Sequence, residues 1–222
     1  MLYHVSAILS TLNRARDRTR LRQALIETAA RLIATEGLGA LTLRRVADEV
    51  GTSTMAIYTH FGGMDELRRA VRREGYLRLT TQIGLVQETS DPVADLATLG
   101  GVYYENAIRN PHLYRVMFME QPLDEADAAT GSGTYESLVR AMRRCVEAGR
   151  FDRADPLELA REFWALGHGM IALQLAHLVS PEAARRCLAG LSVKLFRANG
   201  DDDERAMASF MEGLRAIPMA RN

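Results

Sequence analysis

The sequence contains few of the residues that disulfide-stabilised or metal-binding proteins require. Only two cysteines occur among 222 residues, Cys145 and Cys187, and both stand in segments with helical apolar spacing. Two isolated cysteines provide neither a disulfide framework nor a zinc site. We therefore expect two small buried side chains in a protein of the reducing cytoplasm, with no metal and no cofactor. A redox-sensing role is the alternative for these cysteines.

Two apolar stretches lack the features of export or membrane segments. In residues 1–18 the positive charge follows the apolar stretch instead of preceding it, and no small-residue cleavage site is evident, so no signal peptide is predicted. The run from Phe163 to Val179 carries no charge, but His168 and Gln174 interrupt it. Because no second segment resembles a span, this run predicts a buried helix and no membrane partner.

The motifs of enzyme catalysis are missing as well. The chain has no glycine-rich phosphate loop, no metal-ligand spacing and no nucleophile with an evident base, which disfavours an enzyme. The formal net charge is +0, yet residues 1–75 contain 12 arginines and 8 acidic residues, whereas the remainder contains 16 basic and 20 acidic residues. This asymmetry predicts a basic N-terminal domain that suits nucleic acid, followed by an acidic body.

Residues 42–61, TLRRVADEVGTSTMAIYTHF, contain two short helical patterns separated by a turn. The first pattern has apolar residues at i, i+3, i+4 and i+7, namely Leu43, Val46, Ala47 and Val50. Thr42 and Ser53 are the expected N-caps of the two helices, and Gly51 is the expected end of the first. Such a pair is typical of a helix-turn-helix, whose second helix enters the DNA major groove. From spacing alone, an ordinary helical hairpin is the alternative.

The stretch LTLRRVADEVGTSTMAIYTHFGGMDEL resembles the DNA-binding signature of the TetR, or tetracycline-repressor-like, family of transcriptional regulators. The resemblance covers about residues 20–75, with Met55 in place of a usual small residue and Met64 where a phosphate-contacting lysine is frequent. It implies phosphate contacts from Thr42, Tyr58 and His60. It also implies that Arg44, Ser53 and Thr54 lie near phosphates or base edges.

The apolar patterns predict an all-α protein with two domains and an N-terminal arm. Residues 1–18 are the predicted arm, and the basic run Arg14, Arg16, Arg18 and Arg20 could follow DNA or remain solvated. Residues 19–66 are predicted to form a three-helix helix-turn-helix DNA-binding domain, and residues 67–217 a helical ligand-binding and dimerisation domain. Within the latter, residues 122–133 are predicted to be a mobile surface loop.

Aromatic residues and methionines concentrate in the predicted C-terminal helices, where they suit a cavity for an apolar or aromatic effector. The stretch FWALGHG, from Phe163 to Gly169, also resembles the Trp-xxx-His-Gly pattern of one group of TetR-type C-terminal domains. The predicted effector-binding residues are Tyr103, Tyr104, Met117, Phe118, Trp164 and His168. A simple hydrophobic core is the alternative for this cluster, and a hydrogen-bonded core histidine is the alternative for His168.

Two successive apolar helices near the C-terminus predict a four-helix dimer interface. Its predicted residues are Met170, Leu173, His177, Cys187, Leu188, Leu191 and Leu195. The sequence thus predicts a cytoplasmic homodimeric regulator, usually a repressor in this family, that binds a palindromic double-stranded DNA operator and is released by a small-molecule effector. The alternatives are a regulator without an effector and an enzyme with an appended helix-turn-helix.

Overall fold

The computed structural model describes residues 2–152 and 155–218. Its α-helices are α1 (Leu2–Glu36), α2 (Leu43–Val50), α3 (Thr54–Phe61), α4 (Met64–Ile83), α5 (Pro92–Arg109), α6 (Pro111–Phe118), α7 (Glu125–Ala128), α8 (Ser132–Glu147), α9 (Pro156–Leu175), α10 (Pro181–Ala198) and α11 (Asp203–Arg215). Single 3-10 turns occur at Leu38–Ala40 and Ala129–Gly131. Since the described residues contain no strand, the predicted all-α class is confirmed.

The chain forms two compact units. The first unit contains the residues up to Gly75 together with His112–Ala128, and the second contains Tyr76–Pro111 together with the residues from Ala129 onward. Residues 112–128, which the sequence pattern assigns to the C-terminal domain, therefore pack with the helix-turn-helix segment. The α4 helix contributes residues to each unit.

The α2 and α3 helices begin where the sequence predicts them to begin. Thr42 Oγ1 accepts a hydrogen bond from the backbone N–H of Arg45 at 3.2 Å, and Ser53 Oγ accepts one from the N–H of Ala56 at 3.2 Å. Gly51 has a φ of 74°, a left-handed conformation that glycine adopts at little cost and that ends α2. Caps and apolar spacing together therefore set the lengths of both helices.

The core of the first unit stabilises these two short helices, which would be marginal alone. Its buried residues come from α1 to α4 and α6, and include Leu25, Ile26, Leu32, Val46, Ala47, Ile57, Leu67, Val71, Leu113 and Val116. Ile57 of α3 is 0% exposed. Full burial of such a side chain contributes roughly 1.5–3 kcal/mol, so the unit holds α3 in place mainly through packing.

The α1 helix is continuous from Leu2 to Glu36, so the predicted arm at residues 1–18 is helical from Leu2 onward. The backbone carries no break between that segment and the first helix of the predicted domain. Arg16, Arg18 and Arg20 are exposed on it, whereas the side chain of Arg14 lies outside the described residues. Gly37, with a φ of 82°, follows the last residue of α1.

The segment predicted as a mobile loop, residues 122–133, is largely folded, and this corrects the prediction. It contains α7 and a 3-10 turn, and Asp127 within it is only 4% exposed. Arg72 of α4 is buried beside it, with Nε 3.1 Å from Asp127 Oδ2. Arg72 also donates to the backbone carbonyls of Met117 and Glu120 at 2.8 and 3.0 Å. This buried pair joins α4 to the end of α6 and to α7.

The second unit packs α5 against α8, α9 and α11 around a core that includes Leu96, Met142, Phe163, Phe196 and Phe210. A buried polar cluster around Arg150 links several elements at one end of this unit. The Arg150 guanidinium, whose side chain is 4% exposed, donates from Nε and Nη2 to the Asp201 carboxylate at 2.6 and 2.7 Å. It also donates from Nη1 to Asp91 Oδ1 at 2.8 Å and from Nη2 to Ser209 Oγ at 3.0 Å.

Asp91 connects this cluster to the start of α5. Its carboxylate accepts hydrogen bonds from the N–H groups of Val93 and Ala94 and from Ser209 Oγ, the last at 2.6 Å. Burial alone would raise the pKa of Asp91, but these hydrogen bonds and the Arg150 charge outweigh it and hold the pKa below the ordinary value of 3.8. The ionised form of Asp91 is therefore the one that the folded unit stabilises.

The two cysteines differ in their surroundings. Cys145 is buried in the second unit, and burial raises the pKa of its thiol to about 12, so it is an unreactive core residue as predicted. Cys187 is exposed on α10, which corrects the prediction that both would be buried. None of the described helices is long and apolar enough to cross a membrane.

Candidate nucleic-acid interface and effector site

The α3 helix has one buried side and one exposed polar side. Ile57 and Phe61 face the core of the first unit, while Thr54, Tyr58 and Thr59 are exposed. No carboxylate occurs between Gly51 and Phe61. Hydroxyl groups donate to phosphate oxygens and also contact base edges, so this side of α3 has the chemistry of a helix that enters a DNA groove.

Met55 is the most exposed large apolar residue on α3, at 68%. The sequence pattern marks it only as a departure from the usual small residue, and neither Met55 nor Thr59 is among the predicted contacts. An apolar side chain on a groove-facing helix can contact the C5-methyl group of thymine. Because Met55 is so exposed, we include it in the candidate interface.

The predicted contact residues Thr42 and Ser53 act as helix caps. Each hydroxyl oxygen accepts a backbone hydrogen bond, at 3.2 Å in both cases. A hydroxyl that accepts in this way keeps its own hydrogen available for donation to a phosphate. The caps therefore place two O–H donors at the starts of α2 and α3 without excluding the predicted role.

Two adjacent arginines of α2 differ in their availability. Arg44 has a side chain 90% exposed and only a long contact, 3.7 Å, with Asp48. Arg45 donates twice to the Glu36 carboxylate at 2.7 Å and once to Glu49 at 3.2 Å, and these hydrogen bonds raise its pKa. Arg44 is thus free to contact DNA, whereas Arg45 joins α2 to the end of α1.

His60 lies at the end of α3, half-buried beside the core. Burial lowers its pKa below 6.5, and the charges of Arg18 and Arg22 lower it further. The guanidinium carbon of Arg22 lies 5.2 Å from the centroid of the Phe61 ring. His60 is therefore neutral at pH 7 and can offer one N–H donor, while the two arginines supply positive charge nearby.

Three of the predicted effector-binding residues lie together in the second unit. Trp164 Nε1 donates to Tyr103 Oη at 3.3 Å, and the same oxygen lies 3.5 Å from His168 Nδ1. The rings of Trp164 and His168 have centroids 5.6 Å apart. Burial lowers the pKa of His168, so this half-exposed aromatic group carries no charge at neutral pH.

The other three predicted effector-binding residues have separate surroundings. Tyr104 is buried and donates from Oη to Gln174 Oε1 at 2.6 Å. Met117 is buried in the first unit, where its side chain fills the space beside Gly75. The Phe118 ring, in the same unit, packs on Tyr114 with centroids 4.9 Å apart. Each of these contacts stabilises its own unit.

The predicted interface residues lie mostly on the exposed sides of α9 and α10. Leu173, His177, Cys187 and Leu191 are exposed, and Leu188 and Leu195 are half-buried. Met170 is only 9% exposed, because its side chain packs into the second unit. Small neighbours, Ala165, Gly169 and Gly190, are exposed on the same two helices and leave their backbones accessible to close approach.

The first unit thus has the geometry of a helix-turn-helix DNA-binding domain, joined to a helical second unit. The family model described as bacterial regulatory proteins of the tetR family matches residues 25–71, and the model described as a tetracyclin repressor-like C-terminal domain matches residues 96–192. The chain belongs to the TetR family of transcriptional regulators.

Individual proteins are similar to this chain in sequence or in fold. The chain is 26% identical over 157 residues to the uncharacterized HTH-type transcriptional regulator Rv0681 of Mycobacterium tuberculosis, a match that covers 69% of this chain and 70% of that protein. A protein of unknown function from Rhodococcus sp. RHA1 has a similar structure, with a TM-score of 0.69, 25% identity and coverage of 82% and 96%. The structure of AibR in complex with isovaleryl coenzyme A and operator DNA is similar at a TM-score of 0.65 and 19% identity, with coverage of 79% and 98%.

Proposed function

We propose that this regulator is a ligand-responsive repressor that binds a near-palindromic operator as a homodimer. The observation that carries the proposal is the exposed, carboxylate-free side of α3, where the hydroxyl groups of Thr54 and Tyr58 can donate, together with the 90% exposed side chain of Arg44 on α2. The buried side of α3 fixes its orientation through Ile57 and Phe61. A rigidly held helix with such a surface is suited to base and phosphate contacts in the major groove.

The apolar outer sides of α9 and α10 support a homodimer. Leu173 and Leu191 are 40% and 37% exposed, which leaves large apolar groups in water in the single chain. Pairing of this face with its copy would bury them and bring two copies of α3 onto one duplex. Successive major grooves on one side of DNA are about 34–36 Å apart, so the dimer requires two half-sites one helical turn apart.

A small-molecule effector would release the operator by favouring a different arrangement of the dimer. The similar AibR protein, whose structure contains both a ligand and operator DNA, supports a regulator with these two kinds of partner. To reduce the DNA-competent population from 99% to 1%, an effector must bind the released state about 10⁴-fold more tightly, or about 5.5 kcal/mol. Linkage then requires operator DNA to weaken effector binding by the same factor.

The test begins with selection of operators from a random duplex library, followed by binding titrations at several salt concentrations. If each dimer neutralises roughly 6–8 phosphates, the slope of log affinity against log salt is expected to be about −5 to −7. Tyr58→Ala is expected to weaken all selected sites alike because it removes a phosphate contact, whereas Thr54→Ala is expected to change the preference between sites.

The matched control for these variants is Met207→Ala, which removes an exposed side chain from α11 in the second unit, where no DNA contact is proposed. It is expected to leave both affinity and salt slope unchanged. A salt slope near zero, or an enriched pool without inverted repeats, would overturn the proposed mode of binding.

A further inference from the structure

The second unit contains a cavity of about 400 Å³ that shares no residue with the predicted effector site. It lies between α4, α5 and the segment that follows α11, and its walls include Leu77, Arg78, Val102, Asn106, Arg109 and Ile217. Ligand cavities in proteins are typically about 300–1,000 Å³. If each water-sized group takes roughly 30 Å³, the cavity accommodates a molecule of about a dozen non-hydrogen atoms.

Asn106 is the most informative residue of the cavity. It is 93% buried, since its exposure is 7%, and it lines the cavity wall. Its Oδ1 accepts a hydrogen bond from Asn110 Nδ2 at 3.1 Å, which directs its own amide nitrogen elsewhere. Among the described residues, no acceptor receives a hydrogen bond from Asn106 Nδ2. The Asn106 Nδ2 atom keeps contact with solvent, so a ligand acceptor in the cavity can receive this hydrogen bond in place of solvent.

The charges of the cavity wall favour an anion. Arg78 is oriented by a hydrogen bond from Nη1 to Asn110 Oδ1 at 2.6 Å. Arg109 has a side chain 49% exposed, and its nearest carboxylate oxygen, on Glu105, lies 3.7 Å from Nη2, beyond ordinary hydrogen-bonding distance. The N–H groups of Arg109 therefore make no hydrogen bond to a carboxylate of the residues that the structure describes. A negatively charged ligand group suits these donors.

The remaining wall is apolar. Leu77 is 62% exposed although it belongs to the wall, and Val102 and Ile217 face the same space. A ligand with an apolar chain would remove these surfaces from water while its charged end reached Asn106 and Arg109. The polar and apolar parts of the wall thus define an amphipathic molecule.

We propose that this cavity binds a small monocarboxylate with an apolar chain, and, resting on the proposed repressor function, that this molecule is the effector. Asn106 and Arg109 donate to the carboxylate, and the chain lies against Leu77 and Val102. The α4 helix, which supplies Leu77 and Arg78 to the cavity, also supplies Leu67 and Val71 to the core of the first unit. A ligand held against α4 can therefore bias the position of the helix that supports the DNA-binding core.

The experiment measures binding of hexanoate to the full-length protein by isothermal titration and by saturation-transfer NMR, with hexan-1-ol and hexylammonium as probes of the same chain length. Hexanoate is expected to bind, hexan-1-ol at least about tenfold more weakly, and hexylammonium not at all, because the charge-assisted hydrogen bonds need an anion. Equal binding of hexanoate and hexan-1-ol would overturn the carboxylate assignment.

The variants Arg109→Gln and Asn106→Asp test the residues. The first removes the positive charge, and the second keeps the shape of Asn106 while it adds a charge that repels a carboxylate. Each is expected to reduce hexanoate affinity about tenfold or more. The matched control is Arg161→Gln, because Arg161 is an exposed helical arginine beside Glu158, as Arg109 is beside Glu105. If Arg161→Gln reduces hexanoate affinity as much as Arg109→Gln does, the assignment of the binding site to this cavity is refuted.

A final titration of a selected operator with and without hexanoate separates the two levels of the proposal. Weaker operator binding in the wild-type protein, and no change in Arg109→Gln, supports the effector role. Site-specific hexanoate binding that leaves operator affinity unchanged overturns the effector role and keeps the binding site. Operator binding that is normal while hexanoate fails to bind overturns the cavity assignment and leaves the repressor function standing.

Discussion

The Arg150 cluster predicts that Asp201→Asn destabilises the second unit strongly. The Asp201 side chain is 1% exposed and receives two hydrogen bonds from Arg150, whose side chain is 4% exposed. Loss of one partner from a buried ion pair costs about 3–5 kcal/mol, because it leaves the other charge uncompensated. Here Asp91 also contacts the guanidinium, at 2.8 Å, so the lower end of about 3 kcal/mol is expected.

The assay is thermal and urea unfolding followed by circular dichroism at one fixed protein concentration, since dimerisation makes the midpoint depend on concentration. For a chain of this size, about 3 kcal/mol corresponds to a decrease in Tm of roughly 6–12 °C. The matched control is Asp203→Asn, two residues away, where the carboxylate is 63% exposed and pairs with Arg197. An exposed pair is worth about 0–1 kcal/mol, so the control is expected to shift Tm by only a few degrees.

A double-mutant cycle with Arg150→Met sharpens this test. If the two side chains act as one pair, the double variant is expected to be less destabilised than the sum of the single variants, because neither charge remains buried alone. Additive losses, or a decrease in Tm for Asp201→Asn no larger than that for Asp203→Asn, would refute the argument from burial.

Three further predictions test the dimer face, the acid sensitivity and the DNA readout. Leu191→Arg is expected to give a monomer in analytical ultracentrifugation because it buries an unpaired charge in the proposed interface, while Met207→Arg stays dimeric; the opposite pattern would misplace the interface. The lowered pKa of Asp91 stabilises the folded state at pH values above the ordinary pKa of 3.8, and this stabilisation is lost as the pH falls through the lower pKa of the folded state. Because the hydrogen bond from Ser209 contributes to the lowered pKa, Ser209→Ala is expected to make Tm decrease less steeply on acidification. Replacement of contacted thymines by deoxyuridine is expected to weaken binding about fourfold per half-site, from about 0.8 kcal/mol per methyl group, in the wild type but not in Met55→Ala; equal losses in both proteins would exclude Met55 as the contact.

The helix-turn-helix could be predicted because its determinants are local. The apolar spacing from Leu43 to Val50, the hydroxyl caps at Thr42 and Ser53, and the positive φ required at Gly51 all act within a few residues of one another. The family resemblance then identifies the polar side of α3. Which exposed residues of that side contact DNA stays a prediction.

The features that the sequence did not predict depend on partners far along the chain. The segment around Asp127 has loop-like composition, and it folds because Arg72, 55 residues earlier, pairs with it. Likewise, Arg45 is hydrogen-bonded to Glu36 whereas Arg44 is exposed, and nothing in the local sequence pattern predicts which of the two arginines has a partner. The cavity combines α4 and α5 with residues more than 100 positions later. The sequence signal for it is the polar run of Glu105, Asn106 and Arg109 on α5, followed by Asn110 directly after that helix.

The continuity of α1 has a consequence for the arginines near its middle. Residues two apart in an α-helix point about 200° apart around its axis, so Arg18 and Arg22 project to one side and Arg16 and Arg20 to nearly the opposite side. The charges of the first pair act on His60. A run of basic residues that would form one strip in an extended chain is therefore divided, and a phosphate backbone placed along α1 would meet only half of it at short range. The other half would act on that DNA only through the long-range field, which salt screens beyond about 10 Å.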